Sequence, residues 1–258
     1  MTLYGEDMRK KKPLVEMRKI SKKFGEFWAL KNVDFRVDHN EIVGLVGDNG
    51  AGKSTLIKVL TGVYPPDKGE IYFEGKKIKF SSPAEARNLG IETVHQRLGL
   101  VGSMNIMENF FLGKEITKRV GPLSILDKKK MSEICKSTLK DLSIRIRSPE
   151  KQEVSTLSGG EQQAVSMGRC IYFGVKLAVL DEPTASLSIK ETEKVLKSIR
   201  GMKNRGLSVI FISHNLSHIW PVANRFVVLD HGVKVGDFRK EKTSKEKLRK
   251  LIMGKIEV

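Results

Sequence analysis

The sequence predicts an α/β fold: a mostly parallel sheet core, an antiparallel β subdomain near its start and an inserted helical subdomain. Three observations predict it. The near-continuous apolar runs at 41–46, 177–180, 209–212 and 226–229 have the composition of strands buried on both faces of a parallel sheet. Short β-rich runs at 14–20, 33–37, 71–73 and 78–80 precede or surround the first of these and have an antiparallel character. From about residue 98 to residue 173 the apolar spacing turns helical.

Taken in order, residues 1–13 form a basic tail without the apolar segment of a secretion signal. The strands predicted at 14–20 and 33–37 follow. Residues 71–73 and 78–80 flank Glu74-Gly75-Lys76-Lys77 and read as a hairpin. The run at 41–46 leads through a glycine-rich turn into a helix at 54–60. The helical stretch contains a loop around Gly121-Pro122, and a basic amphipathic helix at 241–252 reads as a solvated terminal element. The expectation is one domain over 14–258. Residues 14–96 and 174–258 supply the core and the antiparallel subdomain, and 97–173 the helical subdomain.

Composition narrows the function. With 40% hydrophobic residues among 258, the chain can bury a substantial core. No apolar run approaches the roughly 20 residues needed to cross a bilayer, so a soluble protein is expected. Two cysteines without metal-ligand spacing fit buried thiols in a reducing cytoplasm. The formal net charge of +17 favours polyanionic partners or a lysine-rich solvated surface. Aromatics, at 7%, do not interleave with the basic residues as a base-stacking platform requires.

Gly47-Asp48-Asn49-Gly50-Ala51-Gly52-Lys53-Ser54-Thr55 satisfies G-x-x-x-x-G-K-[ST] between a strand and a helix. Glycines let successive N–H groups face phosphate oxygens, and the helix start adds its positive dipole end. Lys53 would reach the β- and γ-phosphates, and the Ser54 hydroxyl would ligate Mg²⁺. The strand at 177–180 ends in Asp181 and Glu182, facing the crevice where open α/β sheets bind ligands. Asp181 would hold Mg²⁺ through its water shell, while Glu182 would orient the attacking water. The strand at 209–212 ends in Ser213-His214, beside the expected γ-phosphate, where His214 could donate a hydrogen bond. His218 follows at i+4, but Asn215 stands where a zinc protease needs Glu, which excludes zinc. The motif and its placement make a P-loop NTPase the expected fold.

Leu157-Ser158-Gly159-Gly160-Glu161-Gln162-Gln163 resembles the LSGGQ signature of ABC ATPases, with Glu161 at the usual Gln position. Gln96, in Glu92-Thr93-Val94-His95-Gln96, resembles the glutamine of the Q-loop, a catalytic and metal-contacting position. Phe24 resembles the aromatic that stacks on adenine, with Trp28 as competitor and a core Phe as the ordinary alternative. The likeness spans roughly residues 15–238.

It implies ATP and Mg²⁺ as cofactors and a second copy packed head to tail, with Ser158, Gly159 and Gly160 meeting the partner's nucleotide. It also implies peripheral residence on the inner face of the membrane, coupled to separate permease subunits. The D-loop departs from the family's S-A-L-D, because Ala185-Ser186-Leu187-Ser188 ends in Ser.

The segments 90–96, 108–113, 170–174 and 213–215 resemble the simple-sugar importers (ribose, xylose, fructose, galactose). A sugar-binding protein is then an indirect partner and no nucleic acid is expected. Another import cargo, or a nucleic-acid-associated ABC ATPase, remains an alternative.

Overall fold

The computed structural model describes residues 12–95, 99–142 and 144–254; most of the basic tail, and Gln96, lie outside them. The chain opens with an antiparallel pair, β1 (Val15–Phe24) and β2 (Phe27–Val37). β3 (Ile42–Val46) runs through the glycine-rich turn into α1 (Lys53–Leu60). β4 (Lys68–Phe73) and β5 (Lys76–Ile78) make a hairpin, and α2 (Pro83–Asn88) leads to β6 (Ile91–Val94). Next come α3 (Ile106–Phe111), a second hairpin of β7 (Thr117–Val120) and β8 (Leu123–Leu126), α4 (Lys128–Asp141) and α5 (Gly159–Tyr172). The remainder alternates: β9 (Leu177–Asp181), α6 (Ile189–Asn204), β10 (Ser208–Ile212), α7 (Leu216–Ile219), β11 (Arg225–Asp230), β12 (Val233–Arg239) and α8 (Lys245–Ile252).

The central sheet has the order β12-β11-β3-β10-β9-β6, parallel except for β12, and the antiparallel sheet has the order β2-β1-β4-β5. Alternation along β3 shows how the layers form. Ile42 and Val46 face a core shared with α5, α6 and α8, while Val43 and Leu45 face a second core closed by α1 and the antiparallel sheet. A third cluster, centred on Phe110, Phe111 and Leu139, joins α3, α4 and α5. Gly168 on α5 allows this approach, because a Cβ there would lie 3.0 Å from the Phe110 ring. Cys135 and Cys170 are buried, and burial pushes both thiols up to about 12.

Arg225 ties the two sheets together. It donates to Glu41 Oε1 at 2.9 Å, to Asp237 Oδ1 at 2.7 Å, and to the carbonyl of Arg36 on β2.

Several elements differ from the sequence reading. The helical stretch is interrupted by β7 and β8, whose turn is Gly121-Pro122. The β4–β5 turn is only Glu74-Gly75, both at positive φ (51° and 77°), so Lys76 and Lys77 belong to a strand rather than a loop. β2 starts at Phe27, because Gly25 at φ 54° turns the chain back directly. β6 and β12 are further strands, and α8 begins after Ser244, whose side chain accepts from Lys247 N.

Candidate functional site

The carboxyl ends of β3, β10 and β9 lie side by side, so three sequence-distant segments converge. The registers align Leu45 with Ile212 and Ile212 with Asp181. Beyond these ends come the glycine-rich loop, Ser213-His214 and Asp181-Glu182.

Gly47 sits at φ 151°, and a Cβ there would lie 2.2 Å from the Leu229 carbonyl. Gly52, at φ 101°, is the N-cap of α1, and its Cβ would meet the Ala29 carbonyl at 2.8 Å. Gly50, at φ 79°, has open space around it. Only glycine combines these angles with this closeness, and it lets the loop wrap tightly between β3 and α1.

Lys53 curls back over the loop, donating to the carbonyls of Gly47 and Asp48, both at 2.8 Å. Burial draws its ammonium below the usual lysine range, while the charges of Glu182, Asp48 and Asp181 oppose that shift. Asn49 N donates to Asp48 Oδ1 at 2.7 Å, and Ala51 N to the Asp48 carbonyl. Ser54 is exposed in the first turn of α1, and Thr55 is half-buried beside it.

Burial lifts the Asp181 carboxyl above its ordinary range, and the neighbouring Glu182 adds to the rise. Glu182 adopts φ 49°, a left-handed conformation of the kind concentrated at functional sites. Its Oε1 accepts from His214 N at 3.0 Å and lies 2.8 Å from His214 Nδ1, while Oε2 accepts from Ser213 Oγ at 3.1 Å. The two segments therefore lock to each other. His218 turns to Thr184 Oγ1 at 3.0 Å, away from any pairing with His214. His95, a residue the sequence reading gave no role, lies at the same end of the sheet as Asp181. It follows β6, whose Val94 is in register with Leu180, and that pairing was not legible without the sheet order.

Ser158 is the N-cap of α5, in a capping box with Glu161 (Ser158 N to Glu161 Oε2, 3.0 Å). Glu161 in place of the usual Gln therefore has a local structural role. Ser158 and Gly159 are exposed, whereas Gly160 is buried and donates its N–H toward Glu191 Oε1 at 3.4 Å.

Ser188 caps α6 through the same Glu191, giving Oγ to Oε2 at 2.7 Å and N to Oε2 at 3.0 Å. These bonds, those from Ser188 foremost, hold the Glu191 carboxyl below its usual range. The sequence reading missed Glu191, although S-x-x-E ahead of an apolar pattern was a visible signal for it.

Phe24 is not a core residue: it is 42% exposed, with its ring 5.2 Å from that of Tyr64. Trp28 is half-buried between Lys23 and Lys68. The predicted Gln96 lies outside the described residues.

The family model described as ABC transporter matches residues 30–185. Among curated proteins, the xylose/arabinose import ATP-binding protein XylG of Sulfolobus acidocaldarius is 44% identical, across 94% of this chain and 96% of that one. The fructose import ATP-binding protein FrcA of Rhizobium meliloti is 43% identical, across 83% of each. The ribose import ATP-binding protein RbsA of Shouchella clausii is 36% identical over 94% of this chain, which spans 48% of that protein's length. Among solved structures, the ADP conformation of an ATP-binding cassette of an ABC transporter superposes with a TM-score of 0.79 at 26% identity, covering 94% of this chain and 95% of that one.

Proposed function

The chain belongs to the ABC transporter family, and from that membership we propose that it is the ATP-binding and ATP-hydrolysing subunit of an importer for a simple sugar. The observation that carries this reading is the convergence of Lys53, Asp181, Glu182 and His214 at one end of the parallel sheet.

The residues fit a nucleotide triphosphate with a divalent cation. The loop supplies open space at Gly50, and Lys53 supplies a cation held in place by two carbonyls. Asp48, Asn49, Gly50, Ala51 and Gly52 would meet phosphates through the backbone, with Lys53 at the β- and γ-oxygens. Ser54 and Asp181 would hold Mg²⁺, with Gln96 completing its surroundings, and Thr55 would meet the phosphates beside Ser54. The bound ion would neutralise phosphate charge as the bond to the leaving group lengthens.

Glu182 orients the attacking water and accepts its proton. Its two oxygens are already aimed by Ser213 and His214, so little reorganisation is needed. His214 then donates to the γ-phosphate oxygen as charge develops there. Phe24, with Trp28 as the alternative, offers a ring to the adenine.

In a head-to-tail pair, Ser158, Gly159 and Gly160 of one copy would face the triphosphate of the other. Two such engagements would close the pair, and hydrolysis would release it. Membrane-embedded permease subunits take up that motion at the inner face of the membrane. The identities of XylG, FrcA and RbsA as sugar-import proteins support a monosaccharide as cargo. Among the described residues no helix is long and apolar enough to cross a membrane, in keeping with a permease on separate subunits.

The test is phosphate release from Mg-ATP by the purified chain. Glu182→Gln is expected to cut turnover at least about a hundredfold while ATP binding persists. Unchanged turnover in that variant would end the catalytic reading. Reconstitution with the permease and a screen of pentoses and hexoses for transport-coupled hydrolysis tests the cargo.

A further inference from the structure

The β7–β8 hairpin has no buried face. All eight of its strand residues are exposed, and four of them are large and apolar. The register pairs Val120 with Leu123 and Lys118 with Ile125, so Val120, Leu123 and Ile125 share one side with Lys118, while Leu126, paired with Thr117, lies on the other; Val120 and Leu123 are nearest the Gly121-Pro122 tip. Val120 is 52% exposed and Leu123 66%. An isolated two-stranded hairpin is marginal in water, and here the hairpin joins no other sheet and all of its strand residues are exposed.

The charge around the hairpin is one-sided. Lys118 and Arg119 lie on β7, and Lys128, Lys129 and Lys130 open α4. Asp127 is the one carboxylate from residue 117 to residue 130, and its side chain is occupied as the N-cap of α4, accepting from Lys130 N. Among the described residues none of the five cations forms an ion pair. Three lysines also stand at the positive end of a 14-residue helix whose first turn holds no acidic residue. That placement is adverse for the folded chain alone, and an anion beside it reverses the sign.

We propose that the β7–β8 hairpin and the start of α4 form a docking surface for the anionic face of a lipid bilayer. A bilayer interface presents phosphates and, within about 5–10 Å, hydrocarbon. Phosphates answer the five cations and the helix dipole, and hydrocarbon receives the aliphatic tip. A nucleic acid offers the first but no apolar volume for Val120 and Leu123, and the hairpin carries no aromatic ring for a base. The contact would hold the ATPase against the membrane independently of its permease.

The test is co-sedimentation of the full chain with phosphatidylcholine vesicles, with and without phosphatidylglycerol, at physiological ionic strength. Binding is expected only with the anionic lipid. Val120→Glu with Leu123→Glu should weaken it about tenfold or more. Lys128→Glu with Lys129→Glu and Lys130→Glu, which leaves the hairpin untouched and favours the helix, should cost about fivefold per lysine. Lys194→Glu with Lys197→Glu on α6 matches this kind of charge change elsewhere and should cost far less. ATP hydrolysis in solution should be unaltered in all three variants, which shows that each is folded. The proposal is overturned if the wild type ignores anionic vesicles, if the Val120/Leu123 variant binds as the wild type does, or if the α6 pair costs as much per charge as the α4 lysines. It is equally overturned if hairpin variants keep their vesicle binding and lose only the permease, which would make the occupant a protein.

Discussion

At the scale of single residues, the candidate site carries an unfavourable charge at Asp181. Asp181 is pushed upward by burial and by Glu182, so the folded chain binds its proton more tightly than the unfolded chain does. Its carboxylate therefore lowers stability at neutral pH. That loss fades as pH falls through the raised folded value toward the ordinary aspartate value, which is the reverse of an ion-paired carboxylate. Asp181→Asn is expected to raise the melting temperature of the nucleotide-free chain at pH 7 by about 1–3 °C, while Mg-dependent turnover is lost. Scanning calorimetry at pH 7 and pH 5 should find the gain shrinking at the lower pH, and an equal gain at both would contradict this account. Motif spacing alone marked Lys53, Asp181 and Glu182 as one candidate site, because phosphate chemistry constrains residue type and order together, and the sheet brings their segments side by side. The grip of Ser213 and His214 on Glu182 was not legible, since it depends on β9 and β10 being neighbours.

At the scale of elements, what could be read depended on burial. The strands β3, β9, β10 and β11 were visible as apolar runs because both their faces are covered. β7 and β8 were invisible for the opposite reason: a hairpin with no buried face imposes no alternation on its sequence. β12 alternates only weakly along the sheet edge, and Val233 at its start is exposed.

Arg225 shows how two sheets remain in register. With its guanidinium removed in Arg225→Ala, Glu41 and Asp237 would be left without their shared cation. The expected cost is about 3 kcal/mol of unfolding free energy by urea titration. A cost below about 1 kcal/mol would mean that these carboxylates find water instead.

At the scale of the whole molecule, the signature turn and the D-loop are one mechanical unit within each copy. Glu191 accepts from Gly160 at the start of α5 and from Ser188 at the start of α6. The Ser in place of the family's Asp keeps the cap of α6 and adds no charge, so Glu191 is the one carboxylate in this capping box. In a Glu182→Gln background, where ATP-bound pairs are expected to accumulate, Glu191→Ala is expected to raise the ATP concentration needed for pairing about fivefold, the equivalent of one lost helix cap. Size-exclusion chromatography at graded ATP reads this directly. An unchanged midpoint would confine Glu191 to local helix stability.

The close approach of these two helices also constrains descent. A Cβ at position 160 would lie 3.1 Å from Glu191 Cβ, so an alanine there is admitted only if residue 191 loses bulk or α6 shifts away. Lineages related to this chain should therefore exchange positions 160, 188 and 191 as a set, and a lone replacement at any one of them should be rare in natural populations.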